Sequence, residues 1–173
     1  GNHPALSVQT MSAMRRAALW ILLTGVVFVA GCATPSSQRS PAAAFWSGRI
    51  GVQIASQPPQ SLSAAFELQG SAERGELLLF SPIGSTLAQL NWTPQTADLN
   101  QGGRQWSSGS LDDLTTRLSG TNLPIAALFD WLAGQATTPA GWQVDLSQWT
   151  QGLIRAERQS PLPAVQLKVI LER

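Results

Sequence analysis

Residues 76–92 read ELLLFSPIGSTLAQLNW, which is two apolar runs joined by the segment SPIGS at positions 81–85. Proline presets φ and glycine permits positive φ, so this segment predicts a turn between two strands. Ile83 is unusual there, because turn tips usually face water and carry small polar residues. Two interpretations follow: Ile83 folds back onto the core, or it is held out in solvent to meet an apolar partner.

Apolar and polar residues alternate along much of the chain beyond position 45. Segments 50–54, 62–68 and 165–171 place apolar side chains at every second position, which predicts half-buried strands. Short strands at close spacing predict one antiparallel meander that curls, because a flat open sheet of this size would expose its edges.

The strand at 76–80 has an ambiguous inner face. Leu77 and Leu79 form one set, and Glu76, Leu78 and Phe80 form the other. The charge of Glu76 favours the second set as the outer one. A strand that is apolar on both faces stays possible, because that set also contains a leucine and a phenylalanine.

Two helices are predicted between the strands. Ser110 is a good N-cap and Gly120 ends the first helix, while Pro124 opens the second and Gly134 follows its end. Both helices are available to cover the apolar face of the sheet. The predicted fold class is therefore mainly β with a helical insert: a curved antiparallel sheet forming an incomplete β-barrel capped by short helices. The pattern leaves open whether its interior is filled or hollow.

The composition excludes several classes of function. Charged residues make up 12% of the 173 residues and the formal net charge is +1, so no basic surface for nucleic acid is indicated. Seven tryptophans and no tyrosine suit a wide apolar interior or a membrane contact.

Catalytic side chains are also scarce. His3 is the only histidine and Cys32 the only cysteine, which removes Ser-His and Cys-His nucleophile pairs and the usual zinc ligand sets. The neighbouring acids Asp112 and Asp113 fit the first turn of a helix. We therefore expect no enzymatic activity, no metal and no cofactor.

The N-terminal part resembles a bacterial lipoprotein signal. Residues 1–13 show no pattern and are of unclear origin, whereas residues 14–31 combine a positive start with an apolar run that is short for a membrane span. That run ends in the sequence VAGC, which resembles a lipobox and implies lipidation of Cys32. An ordinary secretory signal with an incidental cysteine is the alternative.

The residues after the cysteine define a second segment. Ala33, in place of an aspartate, implies the outer membrane by the same resemblance. Residues 32–44 are rich in Ser, Pro and Ala and predict a flexible tether.

Several motifs in the remaining chain resemble the LolB family. They are WSGRI at 46–50, LLL at 77–79 followed by SPIGST at 81–86, and LP at 123–124 leading to WLAG at 131–134. The resemblance implies a LolB-like half-barrel over residues 45–173 that encloses a hydrophobic cavity for acyl chains. It also implies an outer-membrane receptor, lipid-anchored on the periplasmic side, that accepts lipoproteins from the periplasmic carrier LolA and inserts them into the membrane.

The resemblance further assigns roles to individual residues. An exposed leucine in the family's protruding loop is needed for insertion, and Ile83 is the matching position, so Pro82, Ile83 and Gly84 form the expected membrane-insertion loop. Arg49 is interpreted as a surface charge, with contact to a partner carboxylate as the alternative. The acyl-chain cavity is expected to be lined by Val52, Ile54, Phe66, Leu68, Leu77, Leu79, Leu90, Trp92, Leu128 and Trp131.

The expected partners are LolA, the acyl chains of client lipoproteins and the inner leaflet of the outer membrane, and the protein is expected to be a monomer. One alternative is a scaffolding outer-membrane lipoprotein that has a packed core and binds an envelope partner through its surface. A hydrolase with an unrecognised serine is a further alternative.

Overall fold

The computed structural model describes residues 44–173. The predicted extension at 1–13, the signal peptide at 14–31, Cys32 and the tether up to position 43 lie outside the described residues. Within residues 44–173 the chain forms nine strands and two α-helices. These elements are β1 (Ala44–Ile54), β2 (Gln60–Gly70), β3 (Gly75–Phe80), β4 (Thr86–Trp92), β5 (Ala97–Gln101), β6 (Arg104–Ser108), α1 (Leu111–Ser119), α2 (Ile125–Leu132), β7 (Trp142–Asp145), β8 (Leu153–Arg158) and β9 (Val165–Leu171).

All nine strands belong to one sheet with the order β6-β5-β4-β3-β2-β1-β9-β8-β7. Each neighbouring pair is antiparallel. The edge strands β6 and β7 are not paired with each other within residues 44–173, so the sheet is open. The prediction of a mainly β fold with an incomplete barrel is confirmed.

The prediction of a single meander is wrong. Strands β1–β6 form one meander and β7–β9 form a second, and the two are joined where β1 pairs with β9. The helices carry the chain from one edge of the sheet to the other. Alternation of apolar residues shows that a strand has a buried face, but it does not show which strand lies beside it.

The apolar alternation has the predicted phase. Ile50, Val52 and Ile54 are buried on the inner face of β1, while Arg49 and Gln53 are exposed on the outer face. The same rule holds in β9, where Val165, Leu167 and Val169 are buried and Leu171 is partly buried. The inner face of the sheet and the buried sides of both helices form one hydrophobic core.

The ends of helix α1 are formed by the residues that the sequence predicted. The side chain of Ser110 accepts a hydrogen bond from the backbone N–H of Asp113, and Gly120 adopts a left-handed conformation with φ of 88°. The Gly120 N–H donates to the carbonyl of Thr116 at 2.8 Å, which satisfies a carbonyl at the helix end. Helix α2 is preceded by Pro124, as predicted.

Gly75 allows a close approach between β3 and a buried tryptophan. A Cβ atom at this position would lie 2.5 Å from the ring of Trp92 and 2.5 Å from the carbonyl oxygen of Gln69. The Trp92 indole is itself fixed, because its Nε1–H donates to the carbonyl of Ser71 at 3.1 Å. The strand therefore has no room for a side chain at position 75.

We predict that Gly75→Ala lowers the free energy of unfolding by about 1–3 kcal/mol, the usual range for overpacking. Gly51→Ala is the matched control, because a Cβ there meets no atom within 4 Å, and it should change the free energy by less than about 0.5 kcal/mol. Urea unfolding of both variants measures the difference. Equal stability of the two would contradict the close packing of Trp92 under β3.

Candidate functional site

The inner face of the sheet brings together all the residues predicted to meet acyl chains. Each of them is buried, with at most 4% of its surface exposed, and each belongs to the single hydrophobic core. The strands contribute Val52, Ile54, Phe66, Leu68, Leu77, Leu79, Leu90 and Trp92, and helix α2 contributes Leu128 and Trp131.

Strand β3 has a defined inner face. Leu77 and Leu79 are buried, whereas Glu76, Leu78 and Phe80 are only partly buried and lie on the outer side. The carboxylate of Glu76 accepts hydrogen bonds from the side chain of Gln69 at 2.9 Å and from that of Gln89 at 2.7 Å. A carboxylate held by polar neighbours belongs on the solvent side, which agrees with the choice that Glu76 favoured.

Helix α2 closes over this apolar face. Trp131 and Leu132 have no exposed surface, and the Trp131 ring lies 6.0 Å from that of Trp142 in β7. Phe129 contacts Trp92 edge-on, with ring centroids 6.2 Å apart. Aromatic pairs of this geometry stabilise packing beyond the area they bury. The helix is therefore held mainly by apolar and aromatic contacts.

Two indole hydrogen bonds fix the residues that follow the helix. Trp131 Nε1–H donates to the carbonyl of Thr137 at 2.6 Å, and Trp149 Nε1–H donates to the carbonyl of Leu132 at 3.1 Å. Gly134 packs beneath the Trp149 ring, where a Cβ would lie about 3.0 Å from the ring atoms. These contacts determine the path of the polypeptide where it leaves helix α2.

Arg158 is a buried cation on the inner side of β8, and the sequence analysis did not single it out. Its guanidinium donates to the Thr121 hydroxyl at 2.9 Å and to the carbonyl of Pro163 at 3.3 Å, and it lies over the Trp142 ring. Its Nε has no hydrogen-bond partner. The sequence did contain a sign of this burial. Arg158 follows Ile154 and Ala156 at alternate positions of β8, so its side chain lies on the same inner face as theirs.

The turn between β3 and β4 holds Ile83 in solvent. Its side chain is 89% exposed, so the interpretation in which it folds back onto the core does not apply. Gly84 N–H donates to the carbonyl of Ser81 at 2.9 Å, and Ser81 N–H donates to the carbonyl of Ser85 at 2.8 Å. Gly84 has a φ of 84°, as expected for the left-handed residue of a three-residue hairpin loop. An ordered turn thus presents one apolar side chain.

Leu162 is a second large apolar side chain on a loop. It lies between Pro161 and Pro163 in the β8–β9 connection and is 83% exposed. No role was predicted for it from the sequence. The signal that could have identified it is the same one that drew attention to Ile83, an aliphatic residue among turn-forming residues.

A hollow of about 690 Å³ extends across β2, β1, β9, β8 and β7, and most of its lining residues belong to the outer face of the sheet. Charged side chains at its margin include Asp145, Arg155, Glu157 and Lys168. Hydrogen bonds from Ser147, together with the nearby charge of Arg155, lower the pKa of Asp145 below its usual value. Its lining combines these charged groups with aliphatic residues, among them Leu62 and Val144.

The described residues offer little chemistry beyond apolar contact. Within residues 44–173, His, Cys, Asp and Glu side chains nowhere form a group of three that could hold a metal ion. Neither α1 nor α2 has the length and apolar character needed to cross a membrane.

Comparison with known proteins identifies the family. A family model described as "Outer membrane lipoprotein LolB" matches residues 45–160, which is more than half of the chain. The chain belongs to the LolB family. The matched range spans β1 to β8, both helices and the turn with Ile83.

Curated LolB-family relatives agree over much of the chain, and each is named "Outer-membrane lipoprotein LolB". A relative from Shewanella sp. (strain W3-18-1) is 28% identical over 161 residues, covering 75% of this chain and 74% of its own length. One from Shewanella sp. (strain MR-4) is 32% identical over 126 residues, covering 66% and 58%. One from Pseudoalteromonas translucida is 30% identical over 124 residues, covering 66% and 61%.

We predict that Ile83→Glu in this LolB-family protein changes the free energy of unfolding by less than about 0.5 kcal/mol, because the side chain has almost no contacts to lose. Leu79→Ala, at a buried position in the same hairpin, should cost about 2–5 kcal/mol. Urea unfolding measures both values. If Ile83→Glu costs as much as Leu79→Ala, Ile83 packs against the fold in solution.

Proposed function

We propose that this LolB-family protein accepts lipoproteins from a periplasmic carrier of the LolA type and inserts them into the outer membrane. The observation that carries the proposal is the 89% exposed Ile83 on an ordered turn of a sheet whose inner face is apolar except for the buried Arg158 at the end of β8. The exposed side chain is the element that meets the membrane. The inner face is the element that receives the acyl chains.

The inner face suits acyl chains because it is built from aliphatic and aromatic side chains. Moving a hydrocarbon chain from water onto such a surface is favourable by about 0.8 kcal/mol per buried methylene. Helix α2 covers this face, and its own residues Trp131 and Leu132 are fully buried. An incoming chain therefore takes the place of contacts that α2 makes, and the helix moves to admit it.

Transfer in this scheme requires neither a nucleotide nor a metal ion. Handover proceeds downhill when the receiving surface binds acyl chains more tightly than the carrier does. Release proceeds downhill because the bilayer interior offers more complete burial. The direction of transport is thus set by differences in apolar burial alone.

A lipid on Cys32 would keep the domain at the membrane. Residues 33–43 can span at most roughly 40 Å when fully extended, which allows the folded part to reach both the bilayer and a carrier. Ile83 itself contributes only about 1.5–3 kcal/mol when buried. That is too little for anchoring, but it suits a contact that forms and breaks at each delivery.

The alternative is a scaffolding lipoprotein, and one observation favours it. The side chains of the inner face are already almost completely buried by the chain itself, as expected for an ordinary packed core. In that case the domain would receive no acylated cargo from a carrier.

We predict that Ile83→Glu leaves acceptance of a lipoprotein from the loaded carrier unchanged but blocks insertion into vesicles, because a carboxylate resists burial among lipids. A transfer assay with carrier, full-length protein and vesicles measures the two steps separately. Ile83→Leu should retain insertion.

Gln95→Glu is the matched control, since it adds the same charge to an exposed turn at the opposite end of the sheet, and it should behave as the unmodified protein. Normal insertion by Ile83→Glu would contradict the role given to the turn. Failure of the unmodified protein to accept any lipoprotein would favour the scaffolding alternative.

A further inference from the structure

Two hairpin loops leave the sheet at the same end. Strands β3 and β9 are separated by β2 and β1, and every pair in this series is antiparallel. Because β9 and β3 consequently run in opposite directions, the last residue of β3 and the first residue of β9 lie at the same end of the sheet. The β3–β4 turn with Ile83 and the β8–β9 loop with Leu162 therefore project from that same end.

These two loops carry the most exposed large apolar side chains of residues 44–173. Ile83 is 89% exposed and Leu162 is 83% exposed, and the next value is 58% at Phe45. An isolated exposed aliphatic residue needs no explanation. Two such residues at the tips of loops at the same end of the sheet form an arrangement that does need an explanation.

The Leu162 loop is fixed at its base. The N–H of Ala55, at the end of β1, donates to the carbonyl of Ala164 at 2.9 Å. The buried guanidinium of Arg158 donates to the carbonyl of Pro163 at 3.3 Å. The two prolines beside Leu162 restrict the backbone further, so the leucine is presented by a constrained loop, as Ile83 is.

Three loops at this end lack charge. Residues 55–63, 81–85 and 159–164 contain no acidic or basic side chain. The β5–β6 turn lies at the same end, further along the sheet, and is followed by the exposed Arg104. The β2–β3 turn, at the other end of the strands, contains Glu73 and Arg74. A charged side chain is costly to bring into the hydrocarbon region of a bilayer, so the three uncharged loops are the part of this end that can approach lipid.

We propose that Leu162 is a second membrane-contacting side chain, and that Ile83 and Leu162 together seat this end of the sheet on the phospholipid bilayer. The proposal rests on the proposed function, because it gives a partner position to the membrane contact of Ile83. Between the two hairpins lies the β1–β2 turn, with Pro58 and Pro59 exposed at its tip.

The spacing of the tips favours a bilayer over a protein partner. With about 4.8 Å between strands, the two hairpins are roughly 20 Å apart along the sheet, and less across its curve. A bilayer offers apolar depth at every point, so it can receive both tips at once. A protein interface is built around a contiguous, well-packed apolar centre, and each of these leucine and isoleucine side chains instead stands alone among polar residues and prolines.

Two membrane contacts restrict the orientation of the domain more than a single contact does. A single inserted side chain lets the domain rotate about that point, whereas two fix the direction of the axis between them relative to the membrane plane. The loop connecting α1 and α2 lies close to this end, because Arg158 joins Thr121 to the β8–β9 loop. Seating both tips therefore brings one end of the helical cover towards the lipid.

The depth of Leu162 in the membrane can be measured on the full-length lipidated protein. Leu162→Cys, Ile83→Cys and Gln95→Cys are each labelled with an environment-sensitive fluorophore, since the native thiol of Cys32 is consumed by lipidation. The protein is placed in vesicles of phosphatidylethanolamine and phosphatidylglycerol that contain lipids brominated along the acyl chain. We expect quenching at positions 162 and 83 and none at position 95.

The four outcomes separate this proposal from the role of Ile83. Quenching at both loops supports both. Quenching at position 162 alone supports the contact of Leu162 and contradicts that of Ile83. Quenching at position 83 alone overturns the proposal for Leu162 but leaves the proposed function standing. Quenching at neither position also overturns the proposal for Leu162.

Variants that add a charge to the Leu162 loop give a functional readout. Leu162→Glu should reduce insertion of a client lipoprotein into vesicles about tenfold or more, the factor expected when one buried leucine is lost. Acceptance from the carrier should stay unchanged. Gln159→Glu, which adds the same charge to the same loop, should retain insertion within about twofold. If Leu162→Glu instead impairs acceptance and leaves insertion unchanged, Leu162 meets the carrier and the proposal is wrong.

Discussion

The apolar inner face of an open sheet has to be covered. Strands β6 and β7 lie at the two edges within residues 44–173 and do not pair, so the sheet cannot enclose its own core as a complete barrel does. The cover is supplied by α1 and α2, which join one edge to the other. An isolated helix as short as α2, with eight residues, is unstable in water, so its packing on the sheet is what maintains it. The sheet needs the helices to bury its apolar face, and α2 needs the sheet to remain helical.

This dependence would allow the structure to be stable and still admit the proposed acyl chain. The contacts of α2 with the sheet are largely aliphatic and aromatic, through residues such as Leu128, Phe129 and Trp131. Apolar contacts are not directional, so an acyl chain can replace them at little net cost in free energy. The polar ties lie at the margins, where Arg158 holds the α1–α2 loop and Trp149 holds the end of α2. We expect the helix to separate from the sheet between those ties.

The outside of the sheet divides into surfaces with different properties. One end presents Ile83 and Leu162 on uncharged loops, which suits lipid. The hollow across β2, β1, β9, β8 and β7 carries charged side chains such as Arg155 and Lys168. The proposed membrane contact involves the loop tips and does not include these charged side chains.

Much of the fold could be predicted from the sequence because strand phase is a local property. The alternation at Ile50, Val52 and Ile54, the cap at Ser110 and the glycine at position 120 each appear as predicted. The pairing of β1 with β9 could not be predicted, because it joins segments more than a hundred positions apart and no local pattern encodes it. The residue pattern alone also left the exposure of Ile83 open, since an apolar side chain in a turn is compatible with burial or with solvent until the turn geometry is known. The resemblance to the LolB family was what implied exposure.

The residues of the candidate site, too, were predicted only in part from the sequence. The inward residues of the strands were identified by their period, and all of them lie on the core face. Arg158 was missed because a terminal arginine of a strand is usually exposed, whereas here the loop at Pro163 and the α1–α2 connection close over it. Leu162 was missed because it lies between two prolines, outside any alternating segment, so no periodic pattern indicates where its side chain points.

The most direct test of the central claim is hydrogen exchange on the full-length protein with and without a diacylated lipopeptide. If acyl chains replace the contacts of α2, amides in Ile125–Leu132 exchange faster when the lipopeptide is bound, while amides in β1 and β2 keep their protection. The same peptide without acyl chains should leave every segment unchanged. Saturating binding of the lipopeptide with unaltered protection of α2 would show that the acyl chains lie elsewhere and would contradict the claim.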